Sequence, residues 1–423
     1  MPTWTNWSGG VTASPRTIAA PRDEGALSRL LQSSARARIV GAGHSFTPLC
    51  STEDVLIRLD AMEGDLIIAP DRRSVSAPAG WSLKRLTEAM WAHGLSLPNQ
   101  GDVNPQSLAG ALATGTHGTG ATLGCLSTFA RAFRFLDANG DVRQCTPLIE
   151  PELFQAARIS LGMLGVVTRI DVEAAPAFHL HETFDAMRMA VVRDAFLEWG
   201  ARDHHVEFFV FPYADHALVK RLTPCPPSEP PERDTDMDEK AFRLLCDMCA
   251  AMPGRTGFLQ RQFTPKRLSA RRSGPAYRIF PSERTVRFEE MEYALPRAAG
   301  LAALDEIMAR VRTARMPVAF PMEVRLVAQD DIWLSPFHAA PSMTIAVHQY
   351  AKMAREPFFS EAEAILRAHG GRPHWGKRHT LTRADAEKLY PRWRDFVRVR
   401  ASVDPNGTFL NPHLAALFTQ DAP

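Results

Sequence analysis

Two hydrophobic periods take turns along the first 180 residues. In EGALSRLLQSSARA the apolar positions fall three and four apart, which predicts an amphipathic helix, while RIVGAG and DVLIRLD read as short strands. DLIIAPDRRSVSAPAG predicts two strands across a polar turn. SLKRLTEAMWAHG predicts a helix with Ser82 as N-cap and Gly94 as stop. FRFLDANGDVRQC is a hairpin pattern turning at Asn139 and Gly140, and PELFQAARISLGMLGVVTRIDVEAAPA predicts a helix feeding a buried strand. This is the opening of an α/β or α+β protein.

From about His179 the pattern shifts to aromatic strand-like pieces, HHVEFFVFPY and ALVKRL, which predict a second domain. PMEVRLVAQDDIWL and SMTIAVHQYAK read as two strands of one sheet, and FFSEAEAILRAHGG as a helix closed by Gly370. The last stretch, from RPHWGKRHT to the DPNG turn and beyond, is too rich in aromatic residues for a tail. The expected division is 1–178, 179–368 and 369–423. TPCPPSEPPERDTDMDEK predicts an exposed, mobile loop, and the basic RTGFLQRQFTPKRLSARRSG after it either pairs with that loop or faces solvent.

Composition narrows the class. The chain has 423 residues with 49 basic and 47 acidic side chains, so no single-sign field suits a nucleic-acid surface. Hydrophobic residues make up 45%, and no window approaches the roughly 18 apolar residues of a membrane span. The N-terminus lacks a signal-peptide pattern, and a cytoplasmic location is expected. Six Cys on so long a chain read as reduced thiols; Cys246 and Cys249 share a helix face with no second pair to complete a zinc site, and Cys125 reads as a buried thiol. His369, His374 and His379 are spaced in fives and interrupted by Gly and Pro, which does not suit metal ligation, and no metal is expected.

Two Gly-rich segments are the chemical signal, because a missing Cβ lets backbone N–H groups approach an anion. Gly41-Ala42-Gly43-His44-Ser45 follows a strand but lacks the third Gly of the Rossmann pattern, and neither segment holds a P-loop. The second, GDVNPQSLAGALATGTHGTGATLG, lies about 60 residues on. A non-Rossmann dinucleotide site remains. For Glu323 and Arg325, which alternate on a strand and so share a face, the residues alone predict no more than an ion pair.

GAGHSFTPL, LPNQGDVNPQSLAGALATGTHGTG, MEVRLVA, and RPHWGKRHT with DPNGTFLNP, together with WTNWSG and EYALPR, resemble the aldonolactone oxidase and alditol oxidase branch of the vanillyl-alcohol-oxidase-type flavoproteins, most closely the D-arabinono- and L-gulono-1,4-lactone oxidases. The resemblance spans essentially the whole chain. It implies an α+β fold: a two-part FAD-binding domain, a mixed-sheet cap over the flavin, and a C-terminal segment returning to the FAD domain. It implies FAD attached covalently through His44, a position at which an imidazole nitrogen bonds the flavin 8-methyl group.

By the same resemblance, Gly41, Ala42, Gly43, His44 and Ser45 bind the cofactor, and the second loop wraps it through backbone amides of Ala109, Gly110, Thr114, Gly115, Gly118, Thr119 and Gly120, with His117 nearby. Gly162 and Gly165 fall at the adenine side, where helix–strand packing explains them nearly as well, and Val167 also binds the cofactor. Glu323 and Arg325 meet the substrate hydroxyls; Arg325 and Lys377 stabilise developing negative charge, with Lys377 a possible base; Ser107 and His348 face the substrate. The implied reaction is oxidation of a sugar 1,4-lactone with oxygen as acceptor, giving hydrogen peroxide. An alditol oxidase, a dehydrogenase using a quinone or cytochrome-type acceptor, and a non-catalytic sugar or nucleotide binder are the alternatives.

Overall fold

The computed structural model describes residues 1–229, 239–282 and 284–419. Of the stretch 223–240 expected to be a mobile loop, residues 230–238 lie outside the described residues, while 223–225 end a strand and 239–240 begin a helix.

The early elements form as their patterns predict. The helix Glu24–Gln32 is capped by Asp23, whose carboxylate accepts from the Ala26 amide at 2.7 Å, and the helix Leu83–Ala92 is capped by Ser82. Strands Thr17–Ala19, Val55–Arg58 and Ala37–Val40 make a small parallel sheet in that spatial order. Beside it stands a five-stranded antiparallel sheet holding the hairpin Ala130–Leu136 and Val142–Cys145, with Gly140 at φ +80° in its turn. The strand Val166–Glu173, expected to be buried, alternates buried and half-buried positions. An antiparallel sheet with one face on the core produces that alternation.

The second half is built on one eight-stranded sheet. Its spatial order is Ser269–Pro275, His179–Arg188, His216–Cys225, His205–Val210, Met322–Val327, Ser342–Tyr350, Phe288–Pro296 and Arg372–Pro373. Successive side chains point to opposite faces. One set, including Val206, Phe208, Val219, Met291, Tyr293, Val324 and Ile345, packs into an apolar core with the helices Met189–Arg202, Gly300–Ala314 and Phe358–Ala368. The other set carries charge.

The C-terminal helices Arg383–Leu389, Trp393–Val403 and Pro412–Phe418 return to the first core, where Trp393 stacks on Phe418 at 4.2 Å. Ile332, Leu334 and Phe337, within the span expected of the second domain, also join that core. Cys246 and Cys249 pack side by side into a third cluster. No helix among the described residues is long and apolar enough to cross a membrane.

Candidate active site

A cavity of about 980 Å³ lies between the two halves, within the range of cofactor and ligand sites. One wall is the loop Gly41–Ser45 with Ser107, Ala109, Gly110, Thr114, Thr116, His117, Gly162, Gly165 and Val167; the floor is the charged face of the eight-stranded sheet. The amides of Ala42, Gly43, His44 and Ser45 donate to no protein acceptor among the described residues, so four consecutive N–H groups are left for an anion. Gly41 is needed for contact between the walls: a Cβ there would lie 2.1 Å from the Ser107 hydroxyl oxygen.

The His44 ring stacks on Trp7 at 5.6 Å and places Nδ1 3.2 Å from the Ala42 carbonyl oxygen. Its pKa is lowered, chiefly by burial and further by Lys377, which keeps the imidazole neutral near pH 7.

The floor is arranged by strand register. Glu207 pairs opposite both Lys220 and Arg325, Phe209 opposite Glu323, and Glu290 opposite His348, so all of these share one face. The Arg325 guanidinium bridges three carboxylates: Nε to Glu207 at 2.6 Å, and Nη2 to Asp102 at 2.8 Å and Glu323 at 2.7 Å. Lys220 adds contacts to Glu207 at 3.3 Å and Asp102 at 3.5 Å. Oxygens of Asp102, Glu207 and Glu323 lie within 4.8 Å of one another, a spacing that suits a metal ion. Here the guanidinium and ammonium supply the positive charge instead.

Those contacts divide the carboxylates. Burial pushes Glu323 up, Glu207 and Asp102 add repulsion, and Arg325 offsets only part of this, so its pKa rises to about 7. Burial would raise Asp102 too, but Lys220, Arg325 and Arg284 outweigh it and hold it below its usual value. Burial of Glu290 is likewise overcome by Lys377 and His348, which bring it to about 2. Lys377 is ion-paired to Glu290 and sits over the Phe46 ring at 5.1 Å. His348 donates from Nδ1 to the Pro321 carbonyl at 3.0 Å, leaving Nε2 3.6 Å from Glu290.

His117 has acceptors at both nitrogens: the Gly118 carbonyl at 2.8 Å from Nδ1 and Glu292 at 2.9 Å from Nε2. Against the opposing effect of burial, that pairing holds Glu292 well below the usual carboxylate range.

Residues 170–417 match the family model described as D-arabinono-1,4-lactone oxidase, and residues 15–146 match the FAD binding domain. The chain belongs to the D-arabinono-1,4-lactone oxidase family. Among curated relatives it is 36% identical to an L-gulono-1,4-lactone dehydrogenase of Mycobacterium tuberculosis, over 97% of this chain and 98% of that one. It is 31% identical to the L-gulonolactone oxidase of Bos taurus, over 96% and 94%, and 32% identical to an alditol oxidase of a Streptomyces species, over 98% of each. The cholesterol oxidase of B. sterolicum shares the fold, with a TM-score of 0.83 at 16% identity over 98% of this chain and 96% of that chain. As a member of this aldonolactone branch of the vanillyl-alcohol-oxidase-type flavoproteins, the protein is an FAD-dependent oxidoreductase.

The cavity fits the cofactor that goes with this family, since the unspent amides of Ala42–Ser45 suit a pyrophosphate. The second loop departs from expectation in two ways. Ala109 and Gly110 line the cavity, but their amides already donate to the Ala79 carbonyl at 3.0 Å and the Ser107 hydroxyl at 3.2 Å. Gly115, Gly118, Thr119 and Gly120 are not on the cavity wall: the chain turns at Gly115, φ +74°, returns Thr116 and His117 to the wall, and leaves it from Gly118. A Cβ on Gly118 would lie 2.1 Å from the Gln100 carbonyl, the Thr119 hydroxyl donates to the Val206 carbonyl at 2.6 Å, and the Gly120 amide donates to the Leu326 carbonyl at 2.7 Å. These residues tie the loop to the strands His205–Val210 and Met322–Val327. At Gly165 a Cβ would lie 2.4 Å from the Leu136 carbonyl, so packing accounts for that glycine although it lines the cavity.

Sequence reasoning placed Glu323, Arg325, Lys377, Ser107, His348 and His117, and all six line this cavity of the lactone oxidase family member. It missed Asp102, Glu207, Lys220, Glu290 and Glu292. The available signal was charge at alternate positions inside apolar strands, as in FEEMEYALP and HVEFFV.

Proposed function

We propose that this flavoenzyme oxidises a sugar 1,4-lactone of the D-arabinono- or L-gulono-lactone type, with molecular oxygen as acceptor and hydrogen peroxide as product. The observation that carries the reading is the convergence of Glu323, Arg325, His348 and Lys377 on one buried polar floor opposite the glycine loops. FAD held in the cavity supplies the two-electron acceptor. Glu323, poised near pH 7, accepts the proton of the substrate hydroxyl. Arg325 steadies the oxygen as it becomes negative, because its planar fork is already aimed by three carboxylates. Lys377, ion-paired with Glu290, acts as an ammonium rather than as a base. His348 and Ser107 orient hydroxyls; Ser107 accepts from the Gly110 amide and keeps its own proton to donate.

His44, a neutral ring at the cavity edge, is the residue through which the flavin is attached. Acid precipitation of the purified protein tests this: a pellet that fluoresces in wild type and not in His44→Ala supports the link, and flavin released from wild type refutes it. The reaction belongs to the cytoplasm.

Substrate and acceptor are tested together by screening lactones against xylitol and sorbitol, with peroxide detected in air. Peroxide from a lactone supports the reading. Turnover of polyols alone favours the alditol reading, for which the Streptomyces relative speaks. Lactone turnover only with an artificial acceptor favours a dehydrogenase, as the Mycobacterium tuberculosis relative is named.

A further inference from the structure

Four exposed apolar side chains fall within one short stretch: Leu244 at 61% exposure, Met252 at 40%, Phe258 at 53% and Phe263 at 56%. They belong to the helix Glu239–Ala251, the turn after it, and the helix Thr256–Phe263. That second helix is anchored from beneath. Leu259 enters the third apolar cluster, and the buried Gln260 donates to the Val318 carbonyl at 2.6 Å. Arg255, Phe258 and Arg261 succeed one another three residues apart on the outward side. Met252, Pro253 and Gly254 are exposed at one end, and Lys266 and Arg267 just past the other.

Charge along this segment is one-sided. Residues 248–282 contain seven Arg or Lys and no Asp or Glu. Arg271 and Arg272 are committed to Asp185 and Glu182. Arg255, Arg261, Lys266 and Arg267 are exposed and pair with no carboxylate among the described residues. The ridge therefore presents cations alternating with Met and Phe.

We propose that this ridge, Met252 to Arg267, docks the protein on the surface of a membrane containing anionic phospholipid. An acidic protein surface would satisfy the cations and leave Met252, Phe258 and Phe263 against polar groups. The boundary between headgroups and acyl chains satisfies both, with arginines at phosphate level and phenyl rings below. The helix Glu239–Ala251 also contributes Glu239 and Phe242 to the cavity lining, so docking brings the cavity's outer rim near the bilayer. The attachment is peripheral and separable from the reaction.

The test is co-sedimentation of the full-length holoenzyme with vesicles of phosphatidylcholine alone or mixed with phosphatidylglycerol. Wild type sediments with the mixed vesicles, less so as salt rises, and stays in solution with the neutral ones. Arg261→Ala and Arg255→Ala each weaken binding about fivefold, and Phe258→Ser weakens it further, while turnover of soluble substrate, which serves as the folding control, is unchanged. Equal partition onto both vesicle types, or wild-type binding by a variant combining Arg255→Ala, Phe258→Ser and Arg261→Ala, overturns the proposal. So does self-association abolished by Phe258→Ser without vesicle binding, which would give the ridge to a second copy. Sedimentation only after deletion of residues 230–238 would give it to the chain's own acidic stretch, and overturns the proposal as well.

Discussion

The two faces of the eight-stranded sheet are made by the same strands and differ in almost everything else. Met322, Val324 and Leu326 enter an apolar core, while Glu323 and Arg325 between them enter a network of buried charge. On one side each residue is interchangeable in kind, and its contribution scales with area removed from water. On the other, each group is held by named partners, and removing one leaves the rest uncompensated. Stability resides in both faces, and the proposed chemistry in only one.

Arg325→Met should break the comparison most visibly. We expect kcat/KM to fall about 10³-fold and stability to drop by about 3–5 kcal/mol, because three close carboxylates lose their shared cation. Steady-state kinetics and denaturant titration of the variant check both; activity within tenfold of wild type would remove Arg325 from its assigned role. On the other face, Ile345→Ala should lower stability by about 2–5 kcal/mol while the folded fraction keeps its kcat. A matching loss of kcat would mean that the faces are not independent.

Glu323→Gln sharpens the contrast through pH. In wild type kcat/KM should rise with pH through about 7, and the variant should lose that limb. The stability effect runs the other way. The folded pKa lies above the ordinary 4.5, so the folded state binds the extra proton between these values and stability declines as pH rises through about 7. Melts at pH 5 and pH 8 should therefore favour the variant, relative to wild type, at the higher pH.

The smallest effect belongs to His379, whose pKa burial depresses to about 3 outside the cavity. The unfolded chain takes up a proton below the ordinary 6.5 and the folded chain does not, so stability is lost as pH falls from there toward 3. His379→Asn should flatten that fall in thermal melts without altering kinetics.

Local signals were legible where one residue decides a local outcome. Ser82 caps its helix, Asn139 and Gly140 make their turn, and Glu323 and Arg325 share a face because a strand has period two. Partnerships across long separations were not. Glu207 meets Arg325 only because the strand His205–Val210 is inserted beside Met322–Val327, an order that no local pattern encodes. Composition does not tell the glycines apart: the missing Cβ atoms of Gly41, Gly118 and Gly120 all make room for protein, yet of the three only Gly41 lines the cavity.

The stitch at Gly120 has a consequence for anyone recombining these enzymes. Gly120 forms a parallel bridge with Val327, two residues beyond Arg325, and Thr119 reaches the neighbouring strand through Val206. A chimera that replaces everything from the strand His179–Arg188 onward would pair the donor's strand Met322–Val327 with the host's tether. Residues 116–121 should travel with the cap, so the natural unit of exchange is discontinuous in sequence.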